Sequence, residues 1–235
     1  MSTREWQIEA LRFTFIGLSD EAAEHLGRMQ NLVGIIPETV TERPQQLTRT
    51  EEAPWGQGKL NLVTQPRRLD VIYNAISSDP ILLPNGGQFP EAGYELLDLV
   101  KKISGTAAGR VACGGVILHK TATAKDGYAA LGELLPFMAF QEDMREFAMQ
   151  INRPKEIEGL TCNELSKWSV ASINLFQVNS SSGETIFTNN GETAVRFEFD
   201  FNTADTSPIP EEKDIYHILR ALFDRCLAVS QDGAQ

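Results

Sequence analysis

The feature that most constrains the fold is an alternating stretch near the C-terminus that is followed by an amphipathic helix. In the stretch, apolar and polar residues take turns: Val195, Phe197, Phe199 and Phe201 alternate with Arg196, Glu198 and Asp200. This period of two predicts a strand with one buried face and one polar face. After Pro210 the period becomes helical, with an apolar stripe at Ile215, Ile218, Leu219, Leu222, Phe223, Cys226 and Leu227. The chain therefore packs at least one helix against a sheet.

The rest of the chain continues this mixture of elements. Apolar alternation predicts strands at 6–16, with a bulge near Ala10, at 60–73 as a hairpin, at 110–120 and at 166–178. Helical spacing predicts a helix capped by Ser19, a helix at 91–103, a helix that carries Tyr128 and Leu131, and another that carries Met144, Phe147, Ala148 and Ile151. We therefore predict an α+β fold with a mainly antiparallel sheet and packed helices.

Two parts of the chain repeat the same order of elements. Residues 1–104 and 110–235 each contain a strand, a helix, two or three strands, a Pro-rich loop and a final helix. One interpretation is a single α+β domain, 1–235, made of two similar halves by duplication. The other is that this order recurs by chance.

Charge and cysteine content restrict the setting in which the protein works. The formal net charge is -11, and the basic residues are scattered, which argues against a nucleic-acid or anionic-membrane partner. Three widely spaced cysteines do not suggest a disulfide framework, and no apolar signal segment opens the chain. We therefore predict a cytoplasmic protein that does not enter a membrane.

The usual sequence signatures of catalysis are weak. Gly56-Gln57-Gly58-Lys59 lacks the spacing and the following Ser or Thr of a phosphate loop. The three histidines are isolated, and no Cys-x-x-Cys pair exists, so we predict no metal and no cofactor. A thiol nucleophile would need Cys162 beside a base, for which His119 is the candidate. These patterns favour a protein that is not an enzyme, and they leave an enzymatic function open.

One segment concentrates polar and aromatic residues of the kind that bind ligands or partners. It runs from Gln150 to Trp168 and is interpreted as lying at two helix-to-strand junctions. Its candidate binding residues, together with one from the preceding strand, are Asn152, Arg153, Asn163, Lys167, Trp168 and His119. The alternative is structural, with Asn152 and Arg153 capping a helix and Trp168 packing on the core.

Several of these strings resemble a sporadically distributed family of bacterial proteins with no assigned function. The similarity lies in Leu11-Arg12-Phe13, in 110–118, in 197–201, and in the strings at 150–154 and 165–169. The chain departs from the family pattern at Ala112-Cys113-Gly114-Gly115, where larger residues are expected. The resemblance implies a bacterial accessory protein and supplies no catalytic residue.

Two main functions remain open at this stage, and a third, a nucleic-acid accessory protein, would need a basic face within the net acidity. The first is a non-enzymatic binding or assembly protein of a bacterial multi-component system, which acts through protein partners and is compatible with a homo-oligomer. The second is a small-molecule-binding protein or hydrolase with a pocket between the two halves. In the second, Arg153 and Lys167 meet an anionic group, with His119 nearby as an acid–base group.

Overall fold

The structure, a computed structural model, describes residues 4–77, 79, 82–103, 105–141, 144–173, 175–178, 185–188 and 191–234. Its strands are β1 (Gln7–Ile16), β2 (Thr39–Arg43), β3 (Thr48–Trp55), β4 (Gly58–Gln65), β5 (Arg68–Ala75), β6 (Arg110–Thr121), β7 (Ala148–Ile157), β8 (Leu160–Ser172), β9 (Leu175–Val178), β10 (Thr185–Thr188) and β11 (Thr193–Thr203). Its helices are α1 (Asp20–Leu26), α2 (Met29–Leu32), α3 (Phe89–Val100), α4 (Ala124–Leu134) and α5 (Ile215–Asp232).

Nine of the strands form one antiparallel sheet in the order β2-β3-β4-β5-β1-β6-β11-β8-β7, and β9 pairs with β10 in a separate hairpin. The central pair is β1 with β6, in which Phe13 lies opposite Cys113. From this pair outward, one side follows β1, β5, β4, β3, β2 and the other follows β6, β11, β8, β7. The predicted α+β class with a mainly antiparallel sheet is therefore confirmed.

The helices cover one face of the sheet, which we call the helix face. Phe223 of α5 meets Phe13 of β1, with 6.3 Å between ring centroids, and Phe89 of α3, at 5.2 Å. Gly93 of α3 permits this packing, because a Cβ there would overlap the Phe223 ring. Alternate residues of the strands, including Leu11, Phe197 and Leu62, are fully buried under these helices. The opposite face of the sheet, which we call the open face, carries the polar positions of the alternations, and at one end Leu118 and Ala194 are buried there in a small cluster with Leu83.

Local signals explain where several elements begin and bend. The Ser19 hydroxyl accepts a hydrogen bond from the Ala22 amide at 3.1 Å, which caps α1 as predicted. The first helix ends at Leu26 with Gly27 as its C-cap, where the close approach of Thr64 leaves no room for a side chain, and α2 starts separately at Met29. The predicted bulge in β1 is present, since the register with β6 shifts between Ile8 and Ala10.

One predicted helix is wrong. Residues 148–157 form the strand β7, which pairs with β8 from Ala148–Ser169 to Ile157–Leu160. The helical stripe at Met144, Phe147, Ala148 and Ile151 competes with an alternation of Phe147, Met149 and Ile151, and strand pairing decides in favour of the alternation. The segment 150–168 is therefore a hairpin and not a pair of helix-to-strand junctions. Consequently Asn152 and Arg153 cap no helix.

In the described part of the chain, none of the helices combines the length and the hydrophobicity that crossing a lipid bilayer requires.

Candidate functional site

The predicted binding residues divide between the two faces of the sheet. Arg153 pairs with Glu164, whereas Lys167 lies three residues further along β8 and pairs with Gln150. Because side chains alternate along a strand, Arg153 lies on the helix face and Lys167 on the open face. The Arg153 guanidinium lies 5.7 Å from the ring centroid of Phe137. These two basic groups therefore do not meet around one anion.

His119 lies apart from both of them. Its Nδ1 atom is 2.9 Å from the backbone oxygen of Glu5, and its ring is 5.6 Å from the ring of Trp6. The predicted pocket of His119, Arg153 and Lys167 is thus not assembled.

The proposed thiol–imidazole pair is not assembled either. Cys162 is fully buried in the strand β8. It lies beside Thr203, whereas His119 lies beside Val195, eight residues away along β11 or roughly 27 Å. Burial raises the pKa of the Cys162 thiol to about 11, and the nearby carboxylates of Glu156 and Glu164 act in the same direction. The thiol is therefore neutral at physiological pH.

Trp168 belongs to the core and not to a surface. Its ring is fully buried and stacks on Phe197 with 4.0 Å between centroids and 8° between planes. Its Nε1 atom has no hydrogen-bond partner among the described residues. The structural interpretation of this side chain is the one that fits its position.

The two predicted asparagines form a row of amides on the open face. Asn152 donates to the Oδ1 atom of Asn163 at 3.4 Å, and Asn163 donates to the Oδ1 atom of Asn202 at 3.1 Å. These side chains come from β7, β8 and β11, which are neighbours in the sheet. The row shows that the open face holds ordered polar contacts between strands.

A groove of 420 Å³ crosses the open face next to this row. Its lining residues come from six neighbouring strands, from Ile72 on β5 to Gln150 on β7. A volume of this size is typical of binding sites in proteins. At strand spacings of about 4.8 Å, the groove extends for roughly 24 Å across the strands.

The groove lies between two rows of side chains that the strand register defines. In one row, Arg12, Gly114, Asp200 and Leu165 lie opposite one another in turn. In the other row, the register places Ala10, Val116, Glu198, Lys167 and Gln150 side by side. The first row is low at β6 because β6 contributes Gly114 there, whereas it contributes Val116 to the second row.

The first row is organised around Gly114. Arg12 Nη2 donates to Asp200 Oδ2 at 2.9 Å, and the guanidinium passes over Gly114 to reach it. A Cβ on Gly114 would lie 3.2 Å from Arg12 Nη2 and 3.2 Å from the backbone oxygen of Phe199. The absence of a side chain at 114 therefore leaves room for this ion pair.

The second row contains a carboxylate, that of Glu198, which interacts with two basic side chains. Glu198 accepts a hydrogen bond from Arg196 at 2.7 Å and lies 3.5 Å from Lys167 Nζ. The hydrogen bond from Arg196 lowers the pKa of Glu198; burial opposes this, and the charges of Arg196 and Lys167 reinforce it. Arg196 also lies 3.5 Å from Glu9, at the β1 bulge. The charges of this row are therefore balanced and partly exposed.

Of the charged residues that line the groove, Lys167 was predicted as a binding residue and Arg12, Glu198 and Asp200 were not. Arg12, Glu198 and Asp200 occupy the polar positions of strands whose apolar positions were recognised. Their alternation was a signal for an exposed face, but the sequence does not show which strands are neighbours. Gly114 was noted only as a departure from a family pattern.

Within the residues that the structure describes, no group of three or more His, Cys, Asp or Glu side chains is placed to hold a metal ion.

Comparison with family models, with curated proteins and with solved structures finds no significant match to this chain.

Proposed function

We propose that this chain is a non-enzymatic binding or assembly protein that binds a protein partner through the open face of its sheet. In this proposal it acts in the bacterial cytoplasm as part of a multi-component system. The observation that carries the proposal is the one-sided architecture: the helices lie on one face and leave a groove exposed across six strands on the other. A groove this long and shallow suits a polypeptide better than a compact ligand.

The composition of the groove supports a protein partner. Ile72, Val116 and Leu165 are only partly buried and give apolar contact area between the charged groups. Protein interfaces combine such apolar contacts with a polar rim. The charges at the groove are balanced, in contrast to a chain whose formal net charge is -11, so an anionic surface does not repel a partner from this face.

A second candidate function rests on where the groove lies. It is lined by Ala10, Arg12 and Ile72 from residues 1–104 and by Gly114 and Lys167 from residues 110–235. A groove between the two parts of the chain is the location expected for the small-molecule-binding protein or hydrolase. Of the residues assigned to that function, only Lys167 lines the groove. The geometry therefore favours the protein-binding function.

The proposed function is tested by quantitative affinity purification from the native host. Lys167→Glu reverses a charge in the groove, and Lys155→Glu makes the same change on an exposed residue of β7 that faces the other side of the sheet. We expect a partner that is recovered with the wild-type chain and with Lys155→Glu but is depleted with Lys167→Glu. Equal recovery with all three chains would count against the open face.

We also propose that the two halves arose by duplication. The support is that, from the centre outward, β1, β5, β4 and β3 match β6, β11, β8 and β7, with β2 unmatched. In addition, α1 and α4 follow the two central strands, and α3 and α5 follow β5 and β11. Superposition of the halves in an experimental structure tests this. Matching strand paths and helix positions would support duplication, and different helix positions would oppose it.

A further inference from the structure

The charged groups of the groove follow a defined order across the strands. Arg12 lies on β1, then β6 contributes no charge, then β11 contributes Glu198 and Asp200, and finally β8 contributes Lys167. Along the groove the order of charge is therefore positive, doubly negative and positive. A ligand that matches this order carries a negative group, a positive group and a negative group.

The two carboxylates of β11 lie on opposite sides of the groove. Glu198 belongs to the row of Lys167, and Asp200 belongs to the row of Arg12. Residues two apart on a strand share a face at a distance of roughly 7 Å. Each carboxylate already accepts a hydrogen bond from a base of this face, Asp200 from Arg12 and Glu198 from Arg196, and a cationic group of a ligand that lies between them is attracted by both.

The two basic groups retain donors for a ligand. Arg12 uses its Nη2 atom for Asp200, and its Nε atom is buried and out of reach of a ligand, but the side chain as a whole is 35% exposed. A guanidinium has five N–H donors, so further donors remain for a second carboxylate. Lys167 lies 3.5 Å from a carboxylate that Arg196 also holds, and both side chains of this ion pair are 42% exposed. Such a pair contributes little and exchanges readily.

We infer that the groove binds an extended polypeptide segment in which two acidic side chains flank a basic one, an inference that rests on the proposed function. The acidic groups contact Arg12 and Lys167, and the basic group contacts Glu198 and Asp200. From β1 to β8 there are three strand spacings, or about 14 Å, which an extended chain covers in about four residues. The full groove accommodates about seven residues.

The neutral parts of the groove fit the backbone of such a segment. Gly114 and Val116 lie on β6, between Arg12 and the two carboxylates, and leave this part of the floor uncharged. Gln150 at the β7 end is exposed and offers an amide donor and acceptor. A compact anion or a polyanionic nucleic acid would use the basic ends but would be repelled by the two carboxylates between them.

Synthetic peptides test this order of charges directly. The probe is an acetylated and amidated eight-residue peptide of serines, with aspartate at the second and sixth positions and lysine at the fourth. The control has the same composition, with lysine at the second position and aspartates at the fourth and sixth. Binding to the full chain is measured by NMR titration. We expect the reordered peptide to bind roughly fivefold more weakly, as for the loss of about 1 kcal/mol of ion pairing.

Protein variants show whether the groove recognises the order of charges in the peptide. Lys167→Glu should lower the affinity for the probe peptide roughly fivefold, and Lys155→Glu should leave this affinity unchanged. Replacing the sixth-position aspartate of the probe by lysine should restore binding to Lys167→Glu. Equal affinity for both peptide orders, or no binding at millimolar peptide, would overturn the inference. Competition by a single-stranded DNA oligonucleotide would also overturn it.

The two levels of the proposal fail in different ways. If Lys167→Glu lowers the recovery of a cellular partner while the order of charges in the peptide has no effect, the proposed acidic–basic–acidic ligand is wrong. The open face then remains the proposed binding surface. If the partner is recovered equally with all variants, the open face itself is wrong.

Discussion

The guanidinium of Arg12 and the carboxylate of Asp200 are joined by a 2.9 Å hydrogen bond across an intervening strand, at the point where that strand carries no side chain. Side chains of next-but-one strands normally have a third side chain between them. Because Gly114 has no side chain, Arg12 can reach Asp200 across β6, and the same gap forms part of the floor of the groove. Gly114 lies on the open face and its neighbour Gly115 on the helix face, so alanine substitutions at the two positions test the two faces separately.

Gly115→Ala should destabilise the fold more than Gly114→Ala. A Cβ at 115 would lie 2.6 Å from the backbone oxygen of Ala10 and 3.0 Å from Phe199, whereas the nearest atoms at 114 are 3.2 Å away. We expect a loss of about 1–3 kcal/mol for Gly115→Ala, as for overpacking, and less than about 1 kcal/mol for Gly114→Ala. Urea unfolding of both variants measures the difference. The reverse ranking would contradict the assignment of the two faces.

The pair of Glu164 and Arg225 should matter more when one partner is removed than when both are. Glu164 is buried on the helix face, and Arg225 of α5 donates to both of its carboxylate oxygens, with the second bond at 3.1 Å. Arg225→Leu leaves the carboxylate without this partner and should cost about 2–3 kcal/mol. Adding Glu164→Leu should recover part of this loss. The free energies of unfolding of the two variants test this, and an additive double variant would argue against the pairing.

Two buried tryptophans should respond differently to replacement by phenylalanine. Trp6 Nε1 donates to the backbone oxygen of Ser230 at 3.0 Å, whereas Trp168 Nε1 has no partner among the described residues. Trp6→Phe removes a hydrogen bond of about 1 kcal/mol in addition to ring volume, and Trp168→Phe removes an unsatisfied donor. We expect Trp6→Phe to lower the free energy of unfolding by about 1 kcal/mol more than Trp168→Phe does. Equal losses would indicate that the Trp168 indole is hydrogen-bonded in solution.

Cys162 should make the protein less stable at alkaline pH. Burial raises the pKa of its thiol from 9.0 to about 11 in the folded chain. The thiol contribution is therefore fully present below pH 9 and is lost as the pH rises towards 11, because only the unfolded chain gains the free energy of ionisation. Cys162→Ala should reduce the slope of stability against pH in this range, although it also leaves a cavity. Stability curves of both chains between pH 8 and 11, by urea unfolding, check this.

Local patterns were sufficient for elements whose periodicity was unambiguous. The alternation at 195–201 predicted β11, and the stripe from Ile215 to Leu227 predicted α5, because each pattern fits one period only. The segment 144–151 fits two periods, and the choice between them depends on pairing across a hairpin with residues 166–169 of β8, which lie 15 to 21 residues further along the chain. That non-local term is absent from the sequence pattern, so β7 was predicted as a helix.

The groove could not be predicted for the same reason. Arg12, Gly114 and Asp200 are separated by about one hundred residues at each step, and only the order β1-β6-β11 in the sheet brings them together. The sequence did predict that each belongs to a strand, and the polar position of Arg12 and Asp200 was visible. What it lacked was the register, which decides which polar positions lie side by side.

The central claim is that a protein partner is bound on the open face, and site-specific photo-crosslinking in the native host tests it most directly. A photoreactive residue replaces Gln150, which is exposed and lines the groove, or Glu95, which is exposed on α3 over the helix face. We predict a crosslinked partner from position 150 and none from position 95. Crosslinking from position 95 alone would contradict the claim.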